Sequence, residues 1–347
     1  MRLTALCCAL GALLSGLHAQ DWATKALCEP PQITVFDEVF APETRATLEK
    51  RAAGIANATG RFWRITAPDG AVSHLWGTMH SSHRAVLDMP GDVLETLDSA
   101  TRIALEIDPT FADRASYANY IEGNDIYRPA EDPFRFSDLG LSREIERHLG
   151  NRLVALGWPR SALDDLTFGA LSDLLLYDPC EDFSAGVLPT QDSYIQTLAH
   201  INGQPVLALE PTDRLPQKLN QPQNADLARS IIATYAVYLM PGATPEARAT
   251  SIALYAEGRI GLSMAWDAAH VTEALGPEGP ALYTRMSDYL LDERNADFIS
   301  AGRPALSSGG LFMAVGNFHI PGERGLVALL RAEGFEVTRI PLPGEAT

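Results

Sequence analysis

Leu75-Trp76-Gly77-Thr78-Met79-His80, and near the other end Leu311-Phe312-Met313-Ala314-Val315-Gly316-Asn317-Phe318-His319, are the two stretches that decide the fold. Each is a compact apolar run that ends in Gly-x-x-His. Runs this short, rich in aromatic and branched residues and closed by glycine, read as buried strands running into a tight turn. Working outward from the first, Phe62-Trp63-Arg64-Ile65, a Pro68-Asp69-Gly70 turn and Val72 to Trp76 read as a hairpin. Beyond His80 come a loop, a helix over Gly91 to Ser99 and the apolar strand Arg102 to Ile107, with Glu106 inside it. The second stretch repeats the order, with a helix from Gly325 to Glu333 and a strand from Phe335 to Ile340. Two strand-GxxH-helix-strand units suggest an internal duplication or a pseudo-symmetric site.

Between the units lie a helix-rich stretch from about Ser142 to His200, a strand at Pro205 to Glu210, and a long helical segment from about Ala225 to Ala301. The expected architecture is α/β with a mainly parallel central sheet and a large helical insertion at about 142–300. Pro42 to Asn57 reads as a peripheral helix.

A histidine just past a buried strand, after a glycine that lets the backbone turn, stands where open α/β sheets gather ligands. One Gly-x-x-His alone is weak evidence, since a lone histidine is commonly a surface or capping residue. Two in equivalent contexts are stronger: if the strands lie side by side, His80 and His319 converge, and paired imidazoles suit a divalent metal. Glu106 interrupts an apolar run, where an ionised carboxylate is costly unless paired or metal-bound. Glu210 repeats the situation after Val206-Leu207-Ala208-Leu209. The alternative for both glutamates is an ordinary strand-end residue facing solvent or an arginine. Asp292-Glu293-Arg294-Asn295 closes a helix begun near Pro280. These are either a solvated face or groups for the site, with Arg294 steadying an oxyanion or a carboxylate and Asn295 a substrate carbonyl or a metal ligand. Asp192 is a lesser candidate, His83 reads as a loop residue, and His74, His148, His200 and His270 read as structural. There is no Gly-x-Ser-x-Gly, His-Glu-x-x-His, Walker or Gly-x-Gly-x-x-Gly signal.

The first nineteen residues hold Arg2, the apolar run Leu3 to Leu17, and Ala19 before Gln20 and Asp21, the layout of a secretory signal cleaved after Ala19. The run falls short of the roughly 20 apolar residues of a membrane span. Periplasmic or secreted localisation is therefore expected for residues 20–347, read as one catalytic domain. Loss of Cys7 and Cys8 would leave Cys28 and Cys180, an even pair in an oxidising compartment, either bridged or as two thiols. A net charge of -17 and a pI near 4.8 argue against nucleic acid or an anionic membrane as partner.

The order of these motifs resembles the TraB/GumN family, which is similar to the animal TIKI proteases. The resemblance rests on Leu75 to His80, Leu105-Glu106-Ile107-Asp108, Gln191-Asp192, Val206 to Glu210, Glu293-Arg294-Asn295 and Val315 to Gly322. It implies a fold related to the erythromycin-esterase and ChaN-like group, and a divalent-metal site, manganese or cobalt ahead of zinc. By that resemblance His80 and His319 are ligands, Glu106 is ligand or base, and Arg294 with Asn295 stabilise the transition state. Glu210 completes the catalytic set. The expected function is metal-dependent hydrolysis of peptide or amide bonds in a peptide or protein substrate. The alternative is a non-catalytic envelope protein that binds a peptide, haem or a metal.

Overall fold

A computed structural model describes residues 28–107, 135–155, 158–175, 190–237 and 244–346. The signal segment 1–19, Asp108 and Cys180 lie outside the described residues, so the expected cleavage and the Cys28–Cys180 bridge do too. The described chain builds a six-stranded sheet in the order β4-β3-β5-β2-β1-β6. Its strands are β1 Phe62–Thr66, β2 Val72–Thr78, β3 Arg102–Leu105, β4 Val206–Ala208, β5 Leu311–Gly316 and β6 Glu336–Arg339. β2, β5, β3 and β4 form a parallel ladder, and β1 runs antiparallel to both β2 and β6.

The hairpin joining β1 to β2 forms because Gly70 takes φ 91° and the Asp69 carboxylate accepts the Ala71 N–H at 3.1 Å. β5 is buried along its whole length. Its side chains alternate between two layers, as a pleated strand requires. Leu311, Met313 and Val315 pack with Phe298, Leu306, Leu326 and Leu330, from the helices Arg294–Ser308 and Leu326–Ala332. Phe312 and Ala314 face Val93, Leu97, Ile195 and Ile252 on the opposite side.

The strand expected at Pro205 to Glu210 is β4, which joins the sheet and divides the helical stretch 142–300 in two. The helices Arg143–Ala155, Phe168–Leu175, Ala225–Val237 and Gly279–Ser287 share a separate apolar core. The helices Gln191–Ile201, Pro245–Ala256 and Ile260–Ala274 instead supply side chains to the sheet's core. The two GxxH units are equivalent in order but not in place: β3 pairs with β5, whereas β6 pairs with β1 at the far edge. The hairpin strand β1 occupies the position that symmetry would give to β6. Among the described residues no helix is long and apolar enough to cross a membrane.

Candidate active site

Parallel pairing of β2 with β5 in the register His74↔Phe312, Gly77↔Val315 and Thr78↔Gly316 brings both GxxH turns to the same end of adjacent strands. β3 ends at Leu105, so Glu106 is not inside a strand as the sequence suggested but at its tip, level with that end. Two bonds continue the β3/β4 ladder past the strands, Leu209 N–H to Leu105 O at 2.9 Å and Glu210 N–H to Glu106 O at 3.0 Å. This carries Glu210 to the same edge.

The fourth arm comes from a helix that does not close at Asn295. It passes through a π-turn at Asp288–Glu293 and continues as Arg294–Ser308. A π-turn adds a residue to the helical repeat and is frequent at functional sites. Two consecutive side chains just past it, Arg294 and Asn295, both reach the centre. The guanidinium of Arg294 donates from Nη2 to Glu106 Oε2 at 2.6 Å, from Nε to Glu210 Oε1 at 2.8 Å and from Nη1 to Leu290 O at 3.2 Å. It lies over the Phe298 ring at 5.0 Å, with its side chain 13% exposed. Glu106 Oε1 accepts the Gly316 N–H at 2.6 Å and lies 3.6 Å from His319 Nε2. Burial pushes the Glu106 carboxyl up, but Arg294, then the two histidines and the Gly316 N–H, outweigh it and hold the group well below the usual carboxylate range.

His319 is buried, and its tautomer follows from its neighbour. The Asn295 amide nitrogen donates to His319 O at 3.3 Å and Arg324 O at 2.9 Å, which leaves Oδ1 to accept from His319 Nδ1 at 2.8 Å. Nδ1 therefore carries the proton and Nε2 the lone pair, which points at the centre. Burial, with Arg294 second among the lowering effects, brings the His319 pKa down to about 4, so the ring is neutral. Asn295 is 1% exposed with both ends of its amide engaged. It stands behind His319 rather than facing a substrate, contrary to the role the resemblance implied. Glu210 is also buried, behind Arg294 and 3.7 Å from Arg214.

His80 is the open arm, its side chain 55% exposed. Its Nδ1 lies 2.8 Å from Asp192 Oδ2, and Asp192 Oδ1 accepts the Thr78 hydroxyl at 2.6 Å. The Asp192 charge is the main cause of a pKa raised to about 9, so in the metal-free chain His80 is an imidazolium at neutral pH. The neighbouring Gln191, fully buried, donates from Nε2 to Val86 O and so turns Oε1 toward three donors. These are Tyr255 OH at 2.7 Å, Met79 N–H at 3.2 Å and Trp76 Nε1 at 3.3 Å. Tyr255 OH also reaches Gly77 O, at 2.9 Å.

The sequence reading thus brought together His80, His319, Glu106, Glu210, Arg294 and Asn295, and the structure gathers all six. It undervalued Asp192, gave Thr78 and Gln191 no role beyond the motifs that carry the resemblance, and missed Tyr255. The Gln191-Asp192 pair opening a helix was the available signal. For Tyr255, inside an apolar helix, there was none. His83 caps the short helix Arg84–Leu87 by accepting the Ala85 N–H, which agrees with its reading as a loop residue.

Among the described residues no three His, Cys, Asp or Glu side chains stand close enough to count as a formed metal site. The donors nevertheless fit one. A Cβ placed on Gly316 would lie 3.2 Å from Glu106 Oε1, 3.4 Å from His80 Nε2 and 3.6 Å from His319 Cδ2, so the missing side chain leaves a cradle that all three residues border. Both histidines have Nδ1 tied to an oxygen acceptor, the support that metal-binding imidazoles usually have. Two imidazoles with one carboxylate suit a borderline transition metal. Two concavities flank this centre without including His80, Glu106 or His319 among their lining residues. One of about 460 Å³ is lined by residues including Arg214 and Lys218, and one of about 360 Å³ by residues including Asn295 and Phe318, behind the second turn.

No curated protein and no solved structure matches the chain. One family model does, over residues 61–339, which takes in all six strands and every residue of the site. The chain belongs to the TraB/PrgY/gumN family.

Proposed function

We propose that the chain is a metal-dependent hydrolase of peptide or amide bonds, working in the cell envelope. One observation carries this reading: His80, His319 and Glu106 border a single cradle over Gly316, with the back of each ring tied down and Arg294 beside them. His80, His319 and Glu106 would hold a divalent ion, manganese or cobalt ahead of zinc, which would supply Lewis-acid polarisation of a carbonyl and a water of lowered pKa. The chain's own groups set the rest. Arg294 keeps Glu106 ionised, which suits a ligand and makes it a weak base. The same guanidinium, bonded to Glu106, Glu210 and Leu290 O, is a fixed positive charge beside the cradle that would act on a developing oxyanion through its field. Asn295 keeps the lone pair of His319 Nε2 aimed at the cradle.

Calorimetric titration with manganese, cobalt and zinc, run beside cleavage of a peptide library, tests this. Wild type is expected to bind one ion per chain and to cleave; His80→Ala and His319→Ala are expected to do neither while staying folded. Gly316→Ala is the most discriminating variant. Gly316 has φ -50° and ψ 135°, a conformation that alanine adopts freely, so its methyl group would occupy the cradle without backbone strain. Loss of binding and cleavage with an unfolding midpoint close to wild type is the expected result. Tight ion binding without turnover of any peptide would favour a binding protein for a peptide, haem or a metal; cleavage that survives both histidine changes would sink the hydrolase reading.

A further inference from the structure

The two histidine arms are built differently. His319 is buried against Phe298, with ring centroids 5.1 Å apart, and is backed by a neutral amide whose other atoms are already bound. His80 is more than half exposed, and among the described residues no aromatic ring is recorded against it. What holds it is a carboxylate, Asp192, which is itself held through its second oxygen by Thr78, two residues before His80 on the same chain segment. Asp192 therefore grips the first turn at two points, one on the strand end and one on the ring. The adjacent Gln191 anchors the start of that helix to Trp76, Met79 and Tyr255.

We infer that Asp192 is a positioning residue for His80, fixing the ring's orientation and its Nδ1–H tautomer so that Nε2 faces the cradle. For metal affinity this rests on the reading of the cradle as a metal site; for ring orientation it stands alone. A carboxylate behind a ligand histidine is commonly worth 10–100-fold in metal affinity. An acidic residue in the first turn of a helix could instead serve only the helix, through its dipole. That role would shift stability without touching His80.

The test uses the full chain as wild type, Asp192→Ala, Asp192→Asn and Thr78→Val, with cobalt(II) as the probe and nitrogen-15 spectra of the metal-free protein above pH 9. Asp192→Ala is expected to weaken cobalt binding by about 10–100-fold and to move the His80 ring from a single Nδ1–H form toward the Nε2–H form that free imidazoles prefer. Asp192→Asn, which keeps one acceptor as Asn295 does for His319, is expected to recover part of the affinity. Thr78→Val is expected to give a smaller loss than Asp192→Ala. Unchanged cobalt affinity and an unchanged tautomer in Asp192→Ala would overturn the inference, whatever happens to its melting temperature. If wild type binds no cobalt, the metal reading fails and the tautomer decides alone: a switch in Asp192→Ala upholds the positioning role, and no switch ends it.

Discussion

Arg294→Met is expected to lower the stability of the folded chain by roughly 3–5 kcal/mol, the usual loss when one partner of a buried ion pair is removed. Two carboxylates depend on this guanidinium, Glu106 with 11% and Glu210 with 5% of the side chain exposed. Methionine matches the length of the arginine stem but offers neither charge nor donors, so buried Glu106 is left with the Gly316 N–H and buried Glu210 with Arg214 at 3.7 Å. Urea unfolding at neutral pH measures the loss; a change below about 1 kcal/mol would place the pair among weak surface bridges and contradict the burial described. The pH dependence has a definite sign. Because the Glu106 pKa is depressed in the folded chain, its contribution to wild-type stability is complete above the ordinary value of 4.5 and is lost as pH falls toward the folded value. In Arg294→Met the carboxyl is desolvated without compensation and takes up a proton. The gap between the two proteins is therefore expected to narrow on acidification.

The second large effect lies away from the cradle, at Glu345. Its side chain is fully buried, and Oε1 accepts from Arg61 N–H at 3.2 Å and Arg61 Nε at 3.0 Å. Oε2 accepts from Arg339 Nη2 at 3.0 Å and from Leu342 N–H at 3.4 Å. Arg61, 8% exposed, lies 5.3 Å from the Trp76 ring centroid and 4.7 Å from that of Tyr255. Glu345→Ala would leave the Arg61 charge buried against two aromatic rings, again at a cost of about 3–5 kcal/mol. Tyr255 bonds to both Gly77 and Gln191, so the damage is expected to reach the first GxxH turn and weaken metal binding as well as stability. Thermal unfolding and cobalt titration of the same variant measure both. A lowered melting temperature with unaltered cobalt affinity would show that the aromatic contacts do not pass the disturbance on.

Much of this is legible in the sequence alone. The two apolar runs ending in Gly-x-x-His announced parallel strands with their tips together, because burial on both faces leaves a continuous apolar signature. Glu106 stood out because an acid has a high cost in such surroundings. Arg294 and Asn295 were candidates, but an ordinary helix turns about 100° per residue, and neighbours on it do not share a target. The π-turn just before them leaves no mark in the hydrophobic period. Of the two parts offered for Asn295, the bond to the other candidate ligand, His319, is the one the structure has; its amide nitrogen is taken up by two backbone carbonyls, which a linear text does not reveal. The duplication was overread: order along the chain repeats, but pairing in the sheet is decided by which edge a strand can reach, and β1 already held the place next to β2.

The central ladder has a consequence for how the molecule comes into being. The Leu311 N–H bonds to the Ser73 hydroxyl across 238 positions, and the β2/β5 register spans the same interval. Closing so long a loop is entropically unfavourable until the pairing it permits is in place, and topologies dominated by distant partners fold slowly. His80 and His319 therefore meet only when nearly the entire polypeptide has been gathered. A nascent chain that has not yet reached β5 carries only one of the two histidine arms, and the cradle over Gly316 forms only once β2 and β5 have paired.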